Sequence, residues 1–382
     1  MTYMNLIDVC DFQGGSQPPK DKWITQYKDG YIRMLQIRDF TQKRDERDYV
    51  EVSNRIKICK KDDVLIARYG ASVGKILTGL EGAYNVAIIK SIPSKLIDKR
   101  YLYYYFNSSY FQNFLKNVGS RAAQAGFNKE DLREAKIFVP KIEHQRNIVS
   151  ILNKSKNLIE RRKNQIEQLD LLVKSKFIEM FGDPVTNLKK WDKVAIGEMF
   201  EIKTGATPSR KENSYWEGGT IPWVKTTELK EYIINETEEY ITEDGFNNSS
   251  VNLLPKDTIL IAMYGQGKTR GMTGKLGIEA TTNQACAAIL PNNNENMDFV
   301  WYQLRLLYDE LRALGQGGSQ PNLNTNLVKT YQLIFPPVEL QNEFERFIKH
   351  IDKLKFEMEK SLKELEDNFN SLMNKAFKGE LF

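Results

Sequence analysis

The two stretches Asp63-Val64-Leu65-Ile66-Ala67-Arg68-Tyr69-Gly70 and Thr258-Ile259-Leu260-Ile261-Ala262-Met263-Tyr264-Gly265 carry the fold of this chain. They lie 195 positions apart and share one pattern: an apolar run, a small residue, an aromatic and a glycine. Working outward, Asn85 to Pro93 returns as Asn283 to Pro291 at a separation of 198. Ile137-Phe138-Val139-Pro140 returns as Leu333-Ile334-Phe335-Pro336, and Glu143-His144-Gln145 as Glu339-Leu340-Gln341, both at 196. Near the start, Gly15-Ser16-Gln17-Pro18 returns as Gly205-Ala206-Thr207-Pro208 at 190. Five blocks in one order mark a duplication, and a period of half the chain is too long for a solenoid repeat.

Each half changes character once. Its first ~140 residues mix short β-type runs (Val64–Ala67, Val86–Ile89; Ile259–Met263, Ala285–Leu290) with Gly, Asn, Ser and Pro turns. One or two helices interrupt them, notably over Lys99–Val118 and Met297–Leu314. A proline-ended strand closes each globule, at Phe138-Val139-Pro140 and Phe335-Pro336-Pro337. The next ~45 residues lack Pro and Gly until their ends and read as one long helix. Phe344, Ile348, Ile351, Met358, Leu362, Leu365, Phe369, Leu372 and Ala376 alternate in steps of four and three, the seam of a coiled coil broken only by Lys355. In the first helix Leu152, Ile159, Ile166, Val173 and Met180 repeat every seven residues. Leu169 joins Ile148, Ser155, Arg162 and Lys176 as the companion row, only partly apolar. The Gly182-Asp183-Pro184 turn ends this helix. At 1.5 Å per residue a ~40-residue helix is roughly 60 Å long. The expected architecture is α+β: two similar globules, 1–141 and 186–337, separated by an antiparallel two-helix coiled coil from 142–185 and 338–382, with a pseudo-two-fold axis across the rod.

Composition excludes several function classes. No apolar run approaches the roughly 20 residues of a membrane span, and no basic segment followed by an apolar core opens the chain, so neither a membrane anchor nor a signal peptide is expected. Three cysteines without paired spacing fit a reducing cytoplasm. With only His144 and His350, neither a His/Cys metal site nor histidine acid–base chemistry is expected. Net charge is +5, unevenly spread. Residues 1–141 carry 24 Lys/Arg against 16 Asp/Glu, whereas 190–337 carry 14 against 18. Seven of those acids lie between Glu228 and Asp244.

Tempting motifs fail on spacing. Gly70 and Gly74 enclose three residues, not the four of a phosphate loop, and Lys75 is followed by Ile76. Gly267-Lys268-Thr269 has the right ending, but position 262 is Ala. Phe335-Pro336-Pro337 lacks the Asn or Asp that opens an adenine-methyltransferase box, and no nuclease carboxylate cluster is present. No catalytic residue and no metal ligand is assigned.

The ordered, twofold set of motifs resembles the specificity subunits of type I restriction-modification enzymes, over essentially the whole chain. Each domain opens on a strand and Gly-x-x-Pro (Val9 to Pro18; Met199 to Pro208). Each carries the Leu-Ile-Ala-x-Tyr-Gly strand, a late polar loop (Gly119 to Asn128; Gly317 to Asn324) and a Pro…Glu-x-Gln opening to its helix. Phe181-Gly182-Asp183-Pro184 and Lys375 to Leu381 close the two helices as in that family. Two features depart from it: the first domain begins almost at Met1, and the 228–244 stretch is acidic, so this segment is expected to face away from DNA.

The resemblance implies two target-recognition domains, each reading half of a bipartite site on double-stranded DNA. It implies no chemistry in this chain: S-adenosylmethionine and ATP would belong to two modification subunits and to restriction subunits. The coiled coil would be both spacer and docking surface. Matching loops supply the candidate DNA contacts Arg33, Gln36, Arg38, Arg68, Tyr69, Lys75, Arg121 and Gln124 in the first domain. In the second they are Lys225, Thr226, Tyr264, Lys268, Arg270, Gln316, Ser319 and Gln320. Arg121 and Arg270 lead, because each sits in a Gly-flanked polar loop. Phe177, Phe181, Phe377 and Phe382 are candidates for docking partners or for packing within the helix pair, with packing favoured for Phe177. A rival reading, a non-catalytic scaffold built on the rod, predicts no salt-dependent DNA affinity. A self-contained methyltransferase-nuclease predicts methyl transfer by the chain alone.

Overall fold

A computed structural model describes residues 2–42, 45–119, 126–265, 267–315 and 322–381. The chain divides into two compact units, one of residues 1–164 and 359–382, the other of residues 165–358. Each long helix is continuous, Ile142–Phe181 and Val338–Phe377, and contributes a part to both units.

In the first unit the fully buried run Leu65–Ala67 is a central strand, as three consecutive apolar residues covered on both faces require. It lies in a four-stranded sheet ordered Cys10–Gly14, Ile88–Pro93, Leu65–Ala67, Ile76–Leu77, all antiparallel. A second sheet runs Tyr49–Glu51, Tyr31–Leu35, Gly82–Tyr84, Ile58–Cys59, with a parallel pairing of Met34 to Ala83. Thr2–Asn5 pairs with Lys136–Val139 to close the globule.

The second unit repeats this plan. Ile202–Thr204, Cys286–Ile289, Ile259–Ala262 and Thr273–Leu276 form the large sheet in the same order. Glu239–Ile241, Ile221–Val224 and Thr281–Thr282 form the small one, again with a parallel central pair. Lys193–Ala195 pairs with Gln332–Ile334. A single bridge, Leu254 to Ala280, stands where the first unit has Ile58–Cys59. The second unit adds one strand, Ile233–Ile234, parallel to Lys275–Leu276 at the edge of the large sheet. That addition lies within the acidic 228–244 stretch.

Some boundaries differ from the sequence reading. The helical stretch over Lys99–Val118, expected as part of one or two helices, is two helices, Lys99–Asn107 and Ser109–Gly119. Ser108 between them is extended, and its hydroxyl donates to Tyr105 O at 2.6 Å, spending on the side chain what would continue the helix. The second globule breaks likewise into Met297–Leu306 and Tyr308–Ala313. Val86 sits in a turn ahead of its strand, where Asn85 Oδ1 accepts from Ala87 N at 3.2 Å. Phe335 lies just beyond its strand.

The helices join each unit's core antiparallel. Ile148 and Leu152 meet Met373, Ala376 and Phe377 against Leu6, Tyr101 and Phe106 in the first unit. Val173, Phe177 and Phe181 meet Phe344, Ile348 and Ile351 against Ile196 and Phe299 in the second. Of the seam residues, Leu152, Ile159, Val173, Ile348 and Ile351 are buried; Ile166, Leu169, Met358, Leu362, Leu365 and Phe369 are half-buried. Lys163 to Glu366 (2.9 Å) and Lys355 to Asp170 (2.7 Å) are ion pairs across the helices, so the one charged residue in the second seam has a partner. The aromatic helix ends decide between docking and packing, in favour of packing, as expected for Phe177. Phe177 stacks on Phe299, Phe181 meets Phe299 and Phe344 edge to face, and Phe377 packs on Tyr101 and Tyr105. All three are buried and offer no docking surface; Phe382 lies outside the described residues.

Candidate nucleic-acid interface

Five chain segments converge at one end of each globule, and backbone hydrogen bonds tie them together. In the first, Gly15 crosses so close to the turn after Gly82–Tyr84 that a Cβ would lie 2.1 Å from Asn85 O. Ser16 N donates to Tyr84 O at 3.0 Å, Asn85 N to Leu35 O at 3.2 Å, Arg68 N to Ala87 O at 2.8 Å, and Phe127 N to Arg68 O at 3.3 Å. The second globule repeats each link. Gly205 would place a Cβ 2.0 Å from Thr282 O. Ala206 N donates to Thr282 O at 2.9 Å, Asn283 N to Val224 O at 3.3 Å, Met263 N to Ala285 O at 2.8 Å, and Leu323 N to Met263 O at 3.0 Å. Only glycine fits such a crossing, which is the physical content of Gly-x-x-Pro.

This convergence brings Gln36, Arg68 and Tyr69 to one end of the first globule, and Lys225 and Tyr264 to that of the second. Arg68 donates to Phe127 O (3.3 Å) and Tyr69 Oη (2.8 Å) and lies 4.9 Å from the Tyr69 ring, leaving part of a guanidinium and an exposed phenol to face outward. Arg33 is instead turned to Asp39 Oδ1 at 3.2 Å, and Arg38 lies 3.6 Å from Asp48. Lys75 is exposed on the turn between Leu65–Ala67 and Ile76–Leu77. The phosphate-loop look-alike thus closes a hairpin, where a phosphate loop would open a helix.

In the second globule Lys268 is exposed, Arg270 half-buried, and Thr226 half-buried in the turn Thr226–Glu228. Arg121, Gln124, Gln316, Ser319 and Gln320 lie outside the described residues. His144 is half-buried and His350 exposed on the long helices. Cys10, Cys59 and Cys286 are buried, and burial pushes their thiols up to about 12, 11 and 12. Among the described residues no group of His, Cys, Asp and Glu suited to a metal ion occurs, and no helix is long and apolar enough to cross a membrane.

The structure adds residues that spacing did not single out. Arg312 donates to Gly267 O at 2.7 Å and to Tyr308 Oη at 2.9 Å, and Tyr308 to Lys268 O at 2.7 Å, pinning the Lys268–Arg270 turn from behind. Gln112 does this for the first globule, donating to Gly74 O at 2.9 Å. The acidic stretch is woven into the cations around it. Glu231 reaches Arg305, Glu239 reaches Arg210, and Glu238 and Glu239 both reach Lys225. The Glu238 and Glu239 hydrogen bonds raise Lys225 above the ordinary lysine value. Lys225 in turn holds Glu238 low. Burial works to raise Glu239, but Arg210 and Lys225 outweigh it and hold that carboxyl low as well. Arg210 lies over Trp216 at 3.6 Å and Trp223 at 4.8 Å. The signal for this network was the excess of acids itself: seven carboxylates in one stretch need cations nearby.

The type I restriction modification DNA specificity domain matches the chain twice, over residues 1–168 and 188–367. The chain belongs to that family. Among its relatives is the type I restriction enzyme MjaIX specificity subunit of Methanocaldococcus jannaschii, 23% identical across 98% of this chain and 92% of that one. The EcoR124I/EcoR124II specificity subunit of Escherichia coli is 27% identical over 41% of this chain and 39% of its own. The same fold occurs in the S subunit of a type I system from M. genitalium (TM-score 0.56, 17% identity, 98% of this chain and 96% of that one). It occurs again in a chain solved in work on assembly and conformational transition of a type I system, with TM-score 0.66 and 16% identity over 100% and 98%. The two family matches fall one on each globule, so the family's specificity domain is present in duplicate.

Proposed function

We propose that this protein is the DNA sequence-specificity subunit of a type I restriction-modification complex, each globule reading one half of a bipartite site on double-stranded DNA. The observation that carries this is the twofold convergence of the same five segments around Gln36, Arg68 and Tyr69 in one globule and Lys225 and Tyr264 in the other. Side chains of this kind meet base edges, while exposed lysines such as Lys75 and Lys268 meet phosphates and set register.

The chain supplies recognition only. Two modification subunits and further restriction subunits bring the chemistry, with S-adenosylmethionine and ATP on those partners, in the cytoplasm. The paired helices fix the length of DNA left unread between half-sites and carry the partner surfaces. Domain limits of 1–141, 142–185, 186–337 and 338–382 express this division. The acidic 228–244 segment serves its own globule's cations; Glu228, Glu238 and Glu239 hold Lys225, and the rest of the segment lies away from DNA.

The test is DNA binding by the complex reconstituted with modification subunits, at several salt concentrations. A specific site should be bound at least ~10³-fold more tightly than random DNA, with log affinity falling linearly with log salt. A flat salt dependence and no sequence preference would sink the reading in favour of a protein scaffold.

A further inference from the structure

The residue that follows the central strand of the small sheet is held twice by carboxylates, in both globules. Gln36 follows Tyr31–Leu35. Its N–H donates to Asp39 Oδ2 at 2.7 Å and its Nε2 to Asp48 Oδ2 at 3.2 Å. Asp48 lies just ahead of the neighbouring strand Tyr49–Glu51. Lys225 follows Ile221–Val224. Its N–H donates to Glu228 Oε1 at 2.8 Å and its Nζ to Glu238 Oε2 at 2.8 Å. Nζ also lies 2.9 Å from Glu239 Oε1, at the start of the neighbouring strand Glu239–Ile241. The two capped residues and the two capping carboxylates are both 189 positions apart.

This arrangement is costly to build. The Asp39 side chain is 5% exposed and Glu228 is 3% exposed. A carboxylate at such depth costs several kcal/mol unless fully hydrogen-bonded. Glu228 is satisfied by Lys225 N and, at 2.9 Å, Glu238 N; Asp39 by Gln36 N and Arg33. A side chain that only touches phosphate needs no such support, since a mobile surface lysine suffices. Here the support is the same in both copies while the supported side chain differs, Gln in one and Lys in the other. A fixed backbone with a held, variable side chain is what discrimination between bases requires.

We infer that Gln36 and Lys225 occupy one equivalent specificity-determining position, each deciding a base of its own half-site, with Asp39, Asp48, Glu228, Glu238 and Glu239 as positioning residues. This rests on the reading of the chain as a specificity subunit. Gln36 keeps one Nε2 hydrogen and its carbonyl oxygen for the donor–acceptor edge of adenine. Lys225, with two acceptors already on Nζ, keeps one hydrogen for the acceptors of guanine. Because its charge is matched by two glutamates, Lys225 adds little to general attraction for DNA.

The experiment uses the complex with modification subunits, comparing wild type with Lys225→Gln, Gln36→Lys, Glu238→Gln and, as a phosphate-type control, Lys268→Gln. Base preference is read by selection from randomised duplexes, and salt dependence from binding curves. Lys225→Gln should change preference at one position of one half-site by about tenfold or more and leave the salt slope within ~0.3 of wild type. Gln36→Lys should do so in the other half-site. Lys268→Gln should lower the slope by ~0.9 and keep the motif.

If Lys225→Gln lowers the slope by ~0.9 with the motif intact, Lys225 is a phosphate contact and the inference falls. It falls equally if both slope and motif are unchanged. Should Lys225→Gln lose binding altogether, Glu238→Gln decides: blurred preference at that base with an unchanged melting temperature supports the clamp, and undiminished preference overturns it. A wild-type complex without any sequence preference would defeat the specificity reading itself, a separate outcome.

Discussion

Gly15 and Gly205 sit where their chain passes over a carbonyl with no room for a methyl group: a Cβ there would lie 2.1 Å from Asn85 O and 2.0 Å from Thr282 O. Backbone cannot yield there without shifting the Asn85 or Asn283 turn. Gly205→Ala is expected to destabilise the protein by about 2–4 kcal/mol and to disorder the segments around Lys225. A melting temperature within ~1 °C of wild type would show the crossing to be slack.

The buried glutamines are the second residue-scale device. Gln145 accepts from Asp98 N at 2.8 Å and donates to Leu96 O (2.9 Å) and Pro140 O (2.8 Å). Gln341 accepts from Asn296 N at 3.0 Å and donates to Pro336 O (2.8 Å) and Glu295 Oε2 (2.6 Å). Each ties the first turn of a long helix to the capping residue of its globule's own helix. Gln341→Ala strands those groups in the interior and should cost about 2–3 kcal/mol in urea unfolding; a loss below ~0.5 kcal/mol would contradict this role. Both motifs were visible in the sequence as repeats. Their purpose was not, because one glycine and one glutamine act through partners 45 to 80 positions away.

At the scale of elements, apolar periodicity located the long helices and the central strands, since burial on two faces or along one seam leaves a pattern in the residues themselves. It failed at Ser108 and at Leu307, where one turn of helix ends for local reasons, and at the helix-end aromatics. Phe177, Phe181 and Phe377 look the same in sequence whether they meet a partner or their own globule. The small sheets were also unread: strands such as Thr281–Thr282 and Ile58–Cys59 are too short to show alternation. If the helices act as a spacer, one extra heptad in each lengthens them by roughly 10 Å, about three base pairs at 3.4 Å per step. Inserting seven residues in register into both helices should widen the unread gap in the methylated motif by about that number and keep both half-sites. An unchanged gap would remove the helices' measuring role.

Across the whole molecule, duplication is the dominant fact, and the copies differ most in charge. The first globule pairs Arg33, Arg38, Lys90, Lys99 and Lys129 with its own acids but keeps a net excess of lysine and arginine, 24 against 16 acids over residues 1–141. The second neutralises Lys225, Arg210 and Arg305 with its own acidic stretch. Most of the salt-dependent affinity should therefore come from the first globule, while base selection is shared. The sequence made the doubling and the charge imbalance plain, but the pairing of acids with particular cations needed the fold, because their partners lie on other strands and helices.

Independence of the two readers is the central claim. The direct test replaces residues 190–337 with the corresponding domain of another specificity subunit and sequences the methylome of cells carrying the complete system. The account predicts that one half of the methylated motif changes while the other half and the gap stay as they were. A motif altered in both halves, or in neither, would contradict it.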